Sequence, residues 1–121
     1  MSEKLIFNCT WAGEDPERAT LPFVAANVAA AAGKEAVVLC TIEAVRLGTQ
    51  SGTEGIAANG LPKLCDLWAD FVRNGGEVWL CGACTKPRGI TEDDLALGAR
   101  IVGAALVVEE VSAGARTIAF A

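Results

Sequence analysis

Short apolar runs alternate along this chain with longer segments of helical periodicity. Three of the runs are continuous and end at or beside a cysteine, a pattern typical of strands covered on both faces of a parallel sheet. Two shorter runs follow near the end of the chain. The five predicted strands cover residues 4–9, 35–41, 77–81, 100–102 and 116–120. The alternation predicts a single α/β domain over residues 1–121, with three layers and a mostly parallel sheet of about five strands.

Three helices are predicted between these strands. The first begins after Asp15, a suitable N-cap, and ends near Ala32, before Gly33. The second runs from Pro62 to the Gly75-Gly76 pair and the third from 104 to 113. The 3.6-residue period predicts one apolar face on each of the first two helices. On the first helix this face consists of Leu21, Ala25, Val28 and Ala32. On the second it consists of Leu64, Trp68, Phe71 and Val72. Thr91 is expected to cap one more helical start. Residues 48–60 form a long loop, which is expected to cover a functional site or to contact a neighbouring subunit.

Composition narrows the possible functions. The chain has 121 residues, of which 52% are apolar, so it can bury a core without disulfide bonds. The net charge of −5 argues against a nucleic-acid partner, because phosphate binding needs a basic surface. The sequence contains neither an apolar signal segment nor an apolar run of about 18 residues, so a cytoplasmic protein without a membrane partner is expected. The alanine-rich segment 25–32 favours close packing on several sides, and thus an oligomer.

Cysteine is the residue type that concentrates chemistry in this chain. There are five cysteines and no histidine, which excludes Ser-His-Asp and Cys-His catalysis and every histidine-containing zinc site. Cys65 is expected to be a small core residue of the second helix. Cys9, Cys40 and Cys81 end predicted strands. Because the C-terminal ends of parallel strands share one edge, these cysteines and Cys84 are candidates to converge there. For Cys9 and Cys40 the alternative is simple burial.

The segment after the third strand carries the strongest signal. Cys81 and Cys84 are three residues apart, and Lys86 and Arg88 follow at once. Neighbouring cations favour a thiolate, so Cys81 and Cys84 are the candidate catalytic residues. Substrate binding is expected from Lys86, Arg88 and the backbone of Gly82. Solvated charges remain the alternative interpretation of the two cations.

Two other interpretations of the cysteine pair are weaker. A closed zinc or iron–sulfur site usually takes four ligands, and no second pair is present, so neither a metal nor another cofactor is expected. In thioredoxin-like proteins the pair opens a helix. Here Pro87 and Gly89 predict a loop that extends to Thr91, and the usual flanking tryptophan and proline are missing.

The order of these features resembles the DsrE/DsrF-like family, which includes sulfur-relay subunits of the TusD type. The resemblance rests on the strand ending at Cys81, the Arg88-Gly89 pair, the acidic segment 92–95 and the closing strand that ends in Phe120, and it covers nearly the whole chain. It implies a DsrE/F-like fold and a homotrimer or homohexamer. It also implies that Cys81 matches the position that carries a persulfide, and that Cys84 matches a second cysteine found in one branch of the family.

Two functional hypotheses follow. In the first, the protein is a cytoplasmic sulfur carrier or sulfurtransferase in which Cys81 accepts sulfane sulfur as a persulfide and Cys84 acts as a resolving thiol. Its partners would be sulfur donor and acceptor proteins or small sulfur compounds. In the second, it is a non-catalytic oligomeric or regulatory binding protein of the same fold, and its cysteines are inert.

Overall fold

The computed structural model describes residues 4–120 as a single sheet with helices on both faces. The five strands all run parallel and lie side by side in the order β4-β3-β2-β1-β5. The prediction of a mostly parallel sheet of about five strands is therefore confirmed. The strands are β1 (Leu5–Cys9), β2 (Ala36–Cys40), β3 (Glu77–Cys81), β4 (Ala99–Val102) and β5 (Arg116–Ile118).

The helices cover the two faces of the sheet unequally. The main core lies on the face covered by α1 and α2, and a smaller core, which includes Trp79, lies under α4. A short helix, α3, follows β3 directly, and three 3-10 turns lie in the connections. The helices are α1 (Pro16–Ala31), α2 (Leu64–Arg73), α3 (Gly82–Thr85) and α4 (Ala104–Ser112), and the 3-10 turns are Ile42–Gly48, Lys86–Arg88 and Glu92–Asp94.

Helix α1 starts and ends almost where the sequence predicts. The Asp15 side chain accepts a hydrogen bond from the Arg18 backbone N–H at 3.1 Å, and Gly33 has a φ of 81°. The predicted apolar face is wrong, since Val28 is 68% exposed and Ala32 is exposed. The buried side is instead set by Phe23, the one aromatic residue of the helix, whose ring stacks on that of Trp68 at 5.6 Å. Small residues on the same side allow this close approach: Ala19, Ala26 and Ala29.

Two predicted connections also differ from the structure. The chain after Cys81 is helical at once, in α3 and then in the turn Lys86–Arg88, where a loop to Thr91 was expected. Thr91 does form a capping box with Asp94, but it caps a single 3-10 turn. The turn ends because Leu95 is extended (φ −78°, ψ 141°) and leads the chain towards β4.

Candidate functional site

Cys81 is the last residue of β3, in an inner position of the sheet. It lies in register with Val102, the last residue of β4, and the preceding residue Leu80 pairs with Cys40 of β2. Because side chains alternate along a strand, Cys81 faces the same side as Trp79, which is the side covered by α4. Cys81 is half-buried. Its thiol therefore lies at the C-terminal edge of the sheet, in part shielded from water.

An apolar cavity of about 190 Å³ opens beside Cys81. Its walls come from the ends of β2 and β4 and from the first turns of α4, and the lining surface is wholly apolar. Gly103 precedes α4 without a side-chain cap, and both Gly103 and Ala104 line the cavity. The start of a helix carries a partial positive charge that favours an anion nearby. The complete lining is Leu39, Thr41, Cys81, Val102, Gly103, Ala104, Val107 and Val108.

Cys84 lies in a different environment from Cys81. It belongs to α3, is half-buried, and packs against the main core on the α1 and α2 side of the sheet. It is not among the residues that line the Cys81 cavity. The short helical turn between the two cysteines thus directs them towards different parts of the domain.

Arg88 ties the turn after Cys81 to the connection that follows β2. Its Nε donates to Glu43 Oε1 at 2.8 Å, and its Nη1 donates to the Cys84 carbonyl oxygen at 3.1 Å. Glu43 also accepts from Arg46 Nε at 2.9 Å through its other oxygen. The hydrogen bond from Arg88, and then that from Arg46, hold the pKa of the Glu43 carboxyl below its usual value. Arg88 therefore positions the turn that follows Cys81.

The other two predicted binding residues lie on the same turn. Lys86 is exposed, and neither it nor Arg88 lines the Cys81 cavity. Gly82 directly follows Cys81, and a Cβ atom there would lie 3.4 Å from the Val102 carbonyl oxygen. That distance is an ordinary contact, so the backbone at Gly82 already lies close to the end of β4.

Cys9 and Cys40 form a buried pair on the opposite face from Cys81. They are register partners in β1 and β2, are 1% and 0% exposed, and both belong to the main core. A hydrogen bond with Cys9, together with burial, raises the pKa of the Cys40 thiol well above its usual value. The Cys9 thiol also contacts the Ala19 carbonyl oxygen, with Sγ and oxygen 3.7 Å apart. All three cysteines end strands as predicted, but the convergence of Cys9 and Cys40 with Cys81 is wrong, because alternation along the strands separates them by face.

The core position predicted for Cys65 is wrong. Helix α2 begins at Leu64, two residues later than predicted, and buries Leu64, Leu67, Trp68 and Phe71. Cys65 follows Leu64 by one residue and so turns away from that face, where it is exposed. Within residues 4–120, no group of three or more cysteine or acidic side chains is arranged to hold a metal ion.

The long loop after β2 lies away from Cys81. The Thr49 backbone bridges to Leu95, and Gln50 N–H donates to the Asp94 carbonyl oxygen at 3.0 Å. Residues of this loop border a separate cavity of about 430 Å³ beside α2, together with Trp68 and Leu97. None of residues 48–60 lines the Cys81 cavity, so the prediction that this loop covers the cysteine site is wrong.

Sequence reasoning missed the contribution of α4 to the site. The helix was predicted over 104–113, but its approach to Cys81 was not. The signal was present in the very short connection at Gly103, because a helix that follows β4 directly must start at the edge where β3 also ends. Glu43, the partner of Arg88, gave no such signal, since 45 residues separate the two.

Comparison with known proteins identifies the family of this chain. The family model described as the DsrE/DsrF-like family matches residues 3–120. The chain belongs to this family. A curated relative, an uncharacterized protein of Methanocaldococcus jannaschii named MJ0760, is 28% identical over 104 residues. This DsrE/DsrF-like chain aligns with it over 86% of its own length but over only 38% of that relative.

Two solved structures share the fold of this DsrE/DsrF-like chain. The ychN protein from E. coli superposes with a TM-score of 0.79 over 99% of this chain and 100% of its own, at 17% identity. MTH1491, a protein of unknown function from Methanobacterium thermoautotrophicum, gives a TM-score of 0.77 over 98% and 100% of the two chains, at 15% identity. At these identities the likeness concerns the fold.

Among the helices within residues 4–120, none is long and apolar enough to cross a membrane.

Proposed function

We propose that this protein is a cytoplasmic sulfur carrier in which the Cys81 thiolate accepts sulfane sulfur as a persulfide. The observation that carries the proposal is the position of Cys81, half-buried at an inner strand end and beside an apolar cavity. Membership of the DsrE/DsrF-like family suggests a sulfur-relay role and agrees with that position. Donor and acceptor proteins or small sulfur compounds would be its partners.

The surroundings of Cys81 suit a persulfide anion in two ways. The start of α4, at Gly103 and Ala104, supplies a partial positive charge next to the thiol. The apolar walls shield part of the added sulfur atom from bulk water. A polar, fully open strand end would provide neither effect.

The transfer step needs no oxidant or reductant. The Cys81 thiolate attacks the outer sulfur of a donor persulfide, R–S–SH, so that a new S–S bond forms as the old one breaks. The donor leaves as the thiolate R–S⁻, which takes up the proton released when Cys81 ionised. The product is Cys81–S–SH. The same step in reverse delivers the sulfur to an acceptor thiol.

Residues of the turn after Cys81 have supporting roles in this proposal. Cys84 is proposed as the resolving thiol, which would attack the inner sulfur of the Cys81 persulfide, release hydrosulfide and close a disulfide. Its packing against the main core means that α3 must rearrange before it can do so. Gly82, Lys86 and Arg88 are proposed to bind the incoming substrate, with Arg88 holding the turn in place through Glu43.

The test is sulfur loading followed site by site. Reduced protein is incubated with a persulfide donor, trapped with an alkylating reagent, digested and analysed by mass spectrometry. One added sulfur is expected on the peptide that contains Cys81, and it should disappear in Cys81→Ser. Cys65→Ser, which removes an exposed thiol in α2, is the matched control and should load normally. Equal loading of Cys81→Ser and wild type would refute the role of Cys81, and no loading of either protein would favour a binding protein with inert cysteines.

The role of Cys84 and the assembly are tested separately. Cys84→Ser should still load sulfur but should lose any disulfide formed after loading. A homotrimer or homohexamer is proposed on the basis of the exposed apolar residues Val28 and Leu97, which are 68% and 85% exposed. Light scattering coupled to gel filtration measures the assembly, and a monomer at working concentration would contradict this part of the proposal.

A further inference from the structure

The size and polarity of the cavity beside Cys81 limit which molecules reach the thiol. Four aliphatic side chains form most of its walls, two from strand ends and two from α4: Leu39, Val102, Val107 and Val108. Thr41 contributes to the lining, yet the lining surface is wholly apolar. No charged side chain of residues 4–120 borders the cavity. A group that enters it meets mainly aliphatic side chains and the Cys81 thiol, and the mouth of the cavity is open to solvent.

Size and polarity limit what this cavity holds. An apolar protein cavity of about 150 Å³ accommodates a benzene molecule, and the Cys81 cavity has about 190 Å³. A substituent of about four to seven carbon atoms therefore fits. A charged group would lose part of its hydration with no charged side chain to compensate it, and the partial charge at the start of α4 is weaker than a full ionic partner. The tripeptide of glutathione, with two carboxylates and an ammonium group, is too large and too polar for this space.

We infer that the Cys81 cavity selects small sulfur donors whose substituent is apolar and uncharged, such as a benzyl or butyl persulfide. This inference rests on the proposed function for its sulfur-transfer step. The apolar substituent R occupies the cavity while the Cys81 thiolate attacks the outer sulfur of R–S–SH. The S–S bond of the donor breaks, the bond to Cys81 forms, and R–S⁻ leaves with the proton that Cys81 released. The Cys81 sulfur is oxidised and the sulfur that leaves with R is reduced to the same extent, so no further oxidant or reductant is consumed.

Selection is first measured with reagents that do not depend on sulfur transfer. Benzyl methanethiosulfonate and 2-sulfonatoethyl methanethiosulfonate share a reactive head and differ in having an apolar or an anionic substituent. Their rates are measured at each cysteine by mass spectrometry of quenched samples of the folded protein. Cys65, which is exposed, serves as the internal reference, and the Asp66 carboxylate 3.9 Å from its thiol already disfavours the anionic reagent there, so the comparison is conservative. The apolar-to-anionic rate ratio at Cys81 should exceed that at Cys65 about tenfold, as expected for partial burial of a benzyl group.

Two variants of α4 show whether the cavity causes this ratio. Val108 lines the cavity and is 63% exposed, whereas Val111 is 43% exposed and lies outside it. Val108→Lys places a cation at the mouth and should lower the ratio at Cys81 about threefold, mainly through faster reaction of the anionic reagent. Val111→Lys adds the same charge one turn away and should leave the ratio nearly unchanged. Both positions are exposed, and circular dichroism checks that each variant is folded.

Sulfur loading from benzyl persulfide and from glutathione persulfide then tests the substrate class directly. Benzyl persulfide should load Cys81 about tenfold faster, and Val108→Lys should reduce that preference. Equal reagent ratios at Cys81 and Cys65, or a Cys81 that reacts with neither reagent, would overturn the inference. If the reagent ratio is high but neither persulfide loads Cys81, the carrier proposal fails while the selection for apolar substituents stands.

Discussion

The buried pair of Cys9 and Cys40 gives the domain a specific weakness at high pH. The two thiols lie opposite each other in β1 and β2 and are almost completely buried. The hydrogen bond with Cys9 and the burial raise the pKa of Cys40 well above the value of about 8.5 that a free cysteine has. Between these two pKa values the unfolded chain has released a proton that the folded chain retains.

The sign and size of the effect follow from proton linkage. Because the folded state binds more protons, its stability falls as the pH rises above the unfolded pKa of about 8.5. The slope approaches about 1.4 kcal/mol per pH unit for one group. Cys40 alone should therefore lower the free energy of unfolding by up to that slope for each pH unit between about 8.5 and its raised pKa in the folded state. Below pH 8 its contribution to the pH dependence is absent.

Cys40→Ala removes this group and should flatten the alkaline profile by the same amount. The substitution itself should cost about 1 kcal/mol at pH 7, since it deletes one buried atom. Both effects are measured by urea unfolding of the reduced protein, followed by circular dichroism at pH 7, 8.5, 9.5 and 10.5, a range chosen around the free thiol pKa of about 8.5. Cys65→Ala is the control, because it removes an exposed thiol that takes no part in the buried pair. Parallel profiles for wild type and Cys40→Ala would refute the linkage argument.

Two further predictions concern the connection that follows β2. Glu43→Gln should make the free energy of unfolding less sensitive to acid below about pH 4.3. The reason is that Arg88 lowers the pKa of Glu43 in the folded state, and this ion pair is lost as the carboxylate is protonated. Acid titration of unfolding measures the effect, and an unchanged profile would contradict it. Gly52→Ala should destabilise the protein by about 2 kcal/mol, because its Cβ would lie 2.0 Å from the Arg46 carbonyl oxygen, whereas Gly13→Ala, with no atom nearer than 4.0 Å, should be neutral in thermal melts.

The strands were predictable because each is a short apolar run with few competing interpretations. β1, β2 and β3 end at Cys9, Cys40 and Cys81, as the apolar runs indicate. Parallel pairing follows from the helices that separate the strands, since a parallel crossover needs a connection of that length. The order of the elements and the resemblance to the DsrE/DsrF-like family therefore led to the correct fold.

The faces of the helices were less predictable, for physical reasons that differ between them. In α1 nearly every position is small and apolar, so periodicity alone does not fix its orientation, and the ring of Phe23 decides it by packing on Trp68. In α2 the buried face is set by Leu64, Leu67, Trp68 and Phe71, so Cys65, which follows Leu64 by one residue and about 100° of turn, lies off that face.

The candidate site was predictable in its central residue and not in its surroundings. Cys81 was singled out by its place at a strand end, but the apolar wall beside it comes from α4, more than 20 residues further along the chain. The turn after Cys81 is helical and held by Glu43, which follows β2. Such contacts depend on which strands are neighbours, and the strand order β4-β3-β2 is not written in any local pattern.

Helix α4 has a consequence for how ligands reach Cys81. None of its nine residues is fully buried, and the three residues of β5 that follow are all exposed, although β5 pairs with β1. Segments with so little buried surface open at a lower free energy than the rest of a domain. Their amide hydrogens should exchange with solvent by local opening, well before those of β1, β2 and β3. One wall of the cavity is thus formed by a segment with little buried surface, so a bulky substituent should reach Cys81 through local opening of α4 as well as through the mouth of the cavity.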